Sequence, residues 1–130
     1  MTADLAAPYL DALQAAGGLR VFDGPVPAKT APPYLVVYCT TDVPEETTLE
    51  DVADRIESTA IVHLVGSSGA ACRILSGRAW EALVGVRPAV PNRDCSRIRR
   101  IDSRPPSTDE STGLVVMDQV DVFQFVSLPG

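Results

Sequence analysis

Apolar positions along the chain switch between a spacing of three to four residues and a spacing of two, and the switches mark where one element gives way to the next. Leu5, Tyr9 and Leu13 recur four apart, flanked by Ala6, Leu10 and Ala16, so residues 2–16 carry the apolar stripe of an amphipathic helix. Pro8 belongs in its first turn, where a missing N–H costs little, which puts the start of regular helix near Ala7. Gly17 and Gly18 end it. A short extended piece at Arg20–Asp23 follows, and then GPVPAKTAPP, too rich in proline to be regular. It leads into YLVVYCTT at 34–41, a strand with apolar or small residues on both faces (Tyr34, Val36 and Tyr38 against Leu35, Val37 and Cys39), as expected in the middle of a sheet.

DVPEETTLEDVADRIE, from Asp42 to Glu57, holds seven carboxylates against one arginine and only a thin apolar edge at Val52 and Ile56, which predicts an exposed connection with at most one helical turn. TAIVHLV at 59–65 is a second β-branched run and the natural antiparallel partner of the first, so the two form an extended hairpin. GSSG at 66–69 closes that strand. Ser68 can cap a helix in which Cys72, Leu75, Ala79 and Leu83 recur at helical spacing, and Gly85 stops it. Gly77 inside this helix costs about 1 kcal/mol relative to alanine, which points to close packing there against the sheet or a neighbouring subunit.

CSRIRRID at 95–102 reads as a short, poorly buried strand, and SRPPSTDESTG after it as a polar, mobile loop. The closing run LVVMDQVDVFQFVSL alternates from Met117, with Asp118, Val120 and Val122 on one side and Asp121, Phe123 and Phe125 on the other, and is the third main strand. The expected class is α+β: a mostly antiparallel sheet with an extended β-hairpin and two helices packed on one face, in a single domain spanning residues 1–130.

Composition narrows the functions. With 45% apolar and 22% charged residues the chain is set to fold. A net charge of -6 and a pI near 4.6 argue against a sequence-independent grip on nucleic acid. Cys39, Cys72 and Cys95 are odd in number and separated by 33 and 23 residues, matching neither a disulfide framework nor a zinc site, and fit a reducing cytoplasm. The start MTADLAAPYLD lacks a secretory pattern, and no stretch approaches the roughly 18 apolar residues of a membrane span, so a soluble, unexported protein is expected.

Candidate chemistry is sparse. His63 is the one histidine available as a base; placed between Ile61 and Val65 on a strand face, it reads as a structural residue. GSSG lacks the spacing of a P-loop or dinucleotide motif, so an N-cap is the preferred reading over an anion site. Asp118 and Asp121, three apart on a strand, project to opposite faces and cannot share a metal or a proton, and the cysteines read as buried packing. No catalytic or metal set can be assembled, and no enzyme is expected. Charge is the uneven feature: Arg93, Arg97, Arg99, Arg100 and Arg104 put five of the eleven basic residues within twelve positions. They are either a solvated strand edge that discourages pairing, or a basic edge that meets the acidic segment of a neighbouring copy (Asp42, Glu45, Glu46, Glu50 and Asp51); direct DNA contact ranks third.

The order helix, hairpin, helix, basic edge and long closing strand resembles the tail terminator and head–tail joining proteins of tailed bacteriophages. The likeness is carried by IVHLVGSSGAACRILSGRAWEALVG (61–85) and VVMDQVDVFQFVSLPG (115–130). It implies a subunit of a ring, commonly a hexamer, that caps the tail tube, stops its elongation and joins tail to head. The implied partners are other copies of the chain, the tail tube protein and a head-completion or connector protein, with no membrane and no cofactor. DNA would pass through the channel without specific binding, past a lumen whose negative charge repels phosphate. The implied location is the neck of a virion assembled in the host cytoplasm. Two rivals remain: another neck component, such as a head-closure or connector subunit, and a regulatory α+β domain holding an apolar ligand under the second helix near Trp80.

Overall fold

The computed structural model describes residues 4–42, 55–111 and 113–130. Two helices, α1 (Ala7–Ala15) and α2 (Gly69–Leu83), accompany strands β1 (Val21–Asp23), β2 (Tyr34–Asp42), β3 (Ile56–Gly66), β4 (Arg93–Cys95), β5 (Arg99–Ser103), β6 (Ser107–Asp109) and β7 (Val116–Pro129). The fold is α+β with a mostly antiparallel sheet, as the hydrophobic pattern predicts; the parallel pairing of β1 with β2 is the exception. Among the described residues no helix is long and apolar enough to cross a membrane.

β2 and β3 pair from Tyr34↔Val65 to Asp42↔Glu57, and β7 lies along the other side of β3. The acidic connection is therefore shorter than its composition predicts: Asp42 ends β2, Ile56 and Glu57 open β3, and residues 43–54 lie outside the described set.

Alternation divides the sheet into two faces. One carries Leu35, Val37, Ala60, Val62, Leu64, Phe123 and Phe125, which form the main core with Tyr9 and Leu13 of α1 and Leu75, Ala79 and Leu83 of α2. Both helices pack on this face. Tyr9 fixes α1 in place: its ring lies 5.4 Å from that of Phe125 and its hydroxyl donates to the Ser58 carbonyl at 2.7 Å, while Ser58 Oγ donates back to the Leu5 carbonyl at 2.8 Å. Burial pushes the Tyr9 phenol well above its ordinary range. The opposite face holds a smaller cluster, Tyr34, Val36, Val65 and Val116, partly covered by Phe22, Val26 and Leu114.

The turn into α2 has a packing logic. Ser68 Oγ accepts from the Ala71 N–H at 3.1 Å, which is the N-cap. A side chain at Gly66 would bring its Cβ within 2.8 Å of the Ala71 Cβ, so glycine lets the first helical turn sit directly on the strand end. Gly77 differs. A Cβ there would meet nothing within 4 Å, and the residue is exposed, so packing against the sheet does not explain it.

Two expectations change in the last third. CSRIRRID is not one strand: β4 and β5 are separated by a segment that buries Ile98, and this break lets Cys95 and Ile98 enter the core while β5 stays exposed. The loop after it contains β6, which pairs with β7 from Ser107↔Asp118 to Asp109↔Val116. β7 is long enough to take all three short strands along one side, so its backbone gives a polar segment a ladder that composition alone does not signal.

Candidate subunit interface

The arginines predicted as an edge are strung along the β4–β5–β6 side of β7, but they do not form one patch. Arg93 is half-buried and turned inward, its Nε on Ser127 Oγ at 2.6 Å and a terminal nitrogen on the Ser127 carbonyl at 3.0 Å. Arg97 donates to the Gly85 carbonyl at 2.7 Å, closing the C-terminal end of α2. Arg99, opposite Gln124, reaches Gln124 Oε1 at 3.4 Å, and Arg104 pairs with Asp102 at 3.1 Å, both in the open. Arg100, opposite Phe123, points to the helix-covered face instead, its guanidinium 4.5 Å from the centre of the Trp80 ring.

Arg100 is held there by a buried carboxylate. Asp121 is fully buried on β7 and accepts from Ser76 Oγ of α2 at 2.5 Å, Ser103 Oγ of β5 at 2.6 Å and Gln119 Nε2 at 3.2 Å, with the Arg100 guanidinium 3.8 Å away. Three donors and a nearby cation replace the water this carboxylate loses, and they tie helix, central strand and edge strand at one point. Gln119 Oε1 is left without a partner among the described residues. The cluster was detectable in the sequence only as a misplaced polar residue: Asp121 shares the phase of Phe123 and Phe125, where a carboxylate must find partners.

Of the acidic residues expected to face the arginines, Asp42 is paired in backbone register with Glu57, and Glu57 accepts from Arg55 at 2.9 Å. Glu45, Glu46, Glu50 and Asp51 lie outside the described residues.

On the open face His63 is satisfied, its Nδ1 lying 2.9 and 3.1 Å from the two oxygens of Asp118. Tyr38 meets it edge-on at 5.7 Å between ring centres. The Asp118 hydrogen bond raises the histidine above its ordinary pKa against the opposing effect of burial. Asp109 is lowered by hydrogen bonds from Ser111 and, to a smaller degree, by His63. Asp118 and Asp121 do face opposite sides, as their spacing requires. All three cysteines are free; burial, with help from Asp23 and Asp4, pushes the Cys39 thiol up to about 11.

Two concavities stand out. A cavity of about 730 Å³ lies between α1 and the segment 86–92, lined by Ala7, Pro8, Asp11, Val86, Pro88 and Val90 among others. A second, of about 330 Å³, lies beside His63, Tyr38 and Asp118. Trp80 lines neither: it is 43% exposed at the flank of α2, stacked on Arg100 of β5, because the residues that face the sheet are Cys72, Leu75, Ser76, Ala79 and Leu83. A ligand site under the helix at Trp80 is therefore not what this helix orientation builds.

Compared with known proteins, the chain matches no family model and no curated protein. Among solved structures it aligns with a chain of the virion of a native gene transfer agent particle, at a TM-score of 0.66 over 97% of this chain and 95% of that one. The two chains share a fold. Sequence identity is 15%, so the likeness to the gene transfer agent chain lies in backbone architecture.

Proposed function

We propose that this chain is a structural subunit of a phage-like virion, acting as a tail terminator: a ring that caps the tail tube, stops its elongation and joins tail to head. It works by geometry, without catalysis or a cofactor. The observation that carries the reading is the near end-to-end fold correspondence with a chain of a gene transfer agent virion. The order of elements read from the sequence agrees with it. Ring closure needs a head-to-tail contact in which one surface of a subunit meets a different surface of the next. The exposed arginines of the β5 side suit one half of such a contact, and the carboxylates between Asp42 and Asp51 suit the other. Its partners are then further copies, the tube protein and a head-completion or connector protein, with DNA passing through unheld.

The internal duties of Arg93, Arg97 and Arg100 decide how to test this, because reversing them also breaks contacts within the subunit. Arg99 and Arg104 are exposed, and their partners are weak or local. Native mass spectrometry across a concentration series, with and without tube protein, is expected to give a closed ring, six-fold for a terminator. The variant Arg99→Glu/Arg104→Glu should fold normally and lose that ring. An intact ring in the variant removes the arginine contact, a twelve-fold species moves the reading to a connector, and a monomer that ignores tube protein removes the terminator reading.

The 730 Å³ cavity beside α1 supports a second reading, a domain that binds a small apolar ligand, since its size falls in the ligand-pocket range. A compound that raises the melting temperature of wild type but not of an Ala12→Trp variant, which fills the cavity, would favour it.

A further inference from the structure

Backbone hydrogen bonds on the outer side of β2 stop part-way along the strand. β1 covers it only from Leu35 to Val37, where the Leu35 N–H donates to the Arg20 carbonyl at 2.8 Å and the Gly24 N–H to the Val37 carbonyl at 3.1 Å. Gly24, at a φ of 87°, then turns the chain away. Outward-facing groups alternate along a strand, so Leu35 and Val37 are followed by Cys39 and Thr41, whose N–H and C=O groups point away from β3. No backbone group among the described residues meets them. Natural sheets guard such an edge with lysine, proline or a bulge. Residues 38–41, a Tyr-Cys-Thr-Thr run, contain none of these, and their pairing with β3 is regular.

Charge lines the helix side of the same edge. Val21 packs on the main core, so Asp23, two residues further on, projects to that side, as Cys39 does from β2. Asp4 and Asp23 are exposed and lie close enough to the Cys39 thiol to help raise it. One oxygen of Asp4 accepts from the Ala6 and Ala7 N–H groups, but neither carboxylate has an ion-pair partner among the described residues. On the open side the edge presents Tyr38, which is 43% exposed.

We propose that the edge of β2 at Cys39 and Thr41 receives an extended basic segment of a different protein, added as a further strand in line with β1. Its backbone exchanges hydrogen bonds with Cys39 and Thr41, its lysines or arginines alternate toward Asp4 and Asp23, and the residues between them lie on the Tyr38 side. Charge selects this occupant over a second copy. Pairing two β2 edges would crowd Asp4 and Asp23 of both copies onto one side of the joint, where they repel. The other border of the sheet, along β7, is broken into β4, β5 and β6 and offers no continuous strand in exchange. The contact is short and therefore weak. It needs only one subunit and does not rest on the terminator reading.

The probe is a short blocked peptide alternating lysine and valine, titrated into isotope-labelled protein and followed by NMR. The amides of Cys39 and Thr41 are expected to shift and to exchange more slowly with solvent, and a peptide with glutamate in place of lysine should have no effect. Methylating the backbone amides of one alternating set, lysines or valines, should abolish binding while methylating the other set leaves it, because only one set faces β2. Asp23→Lys, at an exposed position, should leave the protein folded and weaken the lysine peptide about fivefold. No change at Cys39 and Thr41, equal affinity for the glutamate peptide, or equal effects of the two methylated sets overturns the proposal. Slow exchange at these amides that grows with protein concentration before any peptide is added assigns the edge to a second copy and overturns it as well.

Discussion

Asp118 and Asp121 stand three residues apart on one strand and live in different worlds. Asp121 faces the helices, fully buried, and each of its neighbours on three elements is committed to it. Asp118 faces the open side, partly exposed, with His63 as its side-chain partner at 2.9 Å. The same carboxylate is a structural anchor on one face and an adjustable surface pair on the other, and what separates the two is the number of fixed donors that replace water.

The contrast sets the order of expected effects. Asp121→Ala leaves Ser76, Ser103 and Gln119 without their acceptor and should cost about 3 kcal/mol, read as a lower denaturant midpoint, with faster hydrogen exchange in β5. Gly66→Ala, also on the helix-covered side, forces the Ala71 turn away from the strand end and should cost about 2 kcal/mol by thermal unfolding. Gly77→Ala lies on the outer side of the same helix, where nothing obstructs it, and should stabilise an isolated subunit by about 0.7 kcal/mol in dilute solution. The opposite signs of those two glycine substitutions are the sharpest check on which side of α2 is committed within the subunit.

The smallest effect belongs to the open face. The pKa of His63 is raised in the folded protein, so its pair with Asp118 contributes fully below the unfolded histidine value of 6.5 and is lost as pH rises through the folded value. Melting curves from pH 6 to 9 should show a loss of about 0.5 kcal/mol in wild type that is absent in His63→Gln. Asp109, lowered by its own hydrogen bonds, loses its contribution only as pH falls into the carboxylate range, so it does not enter that window.

Periodicity made most of the fold legible. Leu5, Tyr9 and Leu13 are buried where a stripe four residues apart puts them, and the alternation in β7 assigns Phe123 and Phe125 to the core and Val120 to the open face. What escaped were features owed to distant backbone. β6 exists because β7 offers it a ladder, and Ile98 is buried because the chain breaks between β4 and β5; neither has a local signature. The arginine cluster was visible as charge, but its division into inward and outward members was not. That division follows from the strand phase, which sets Arg100 opposite Phe123 on the helix side, and from the register shift that follows it, which leaves Ile101 in the open.

The outer side of β7 is covered by three short pieces, interrupted around Ile98, by the shift at Ile101 and by the pair Pro105 and Pro106. A border built in fragments presents no continuous row of amides and carbonyls, so no neighbour can extend the sheet by laying a strand along it. Whatever joins this side must do so through side chains, and its exposed arginines act as point charges within reach of dissolved ions. Any assembly made here should therefore loosen as salt rises above physiological strength, where a strand-to-strand joint would hold.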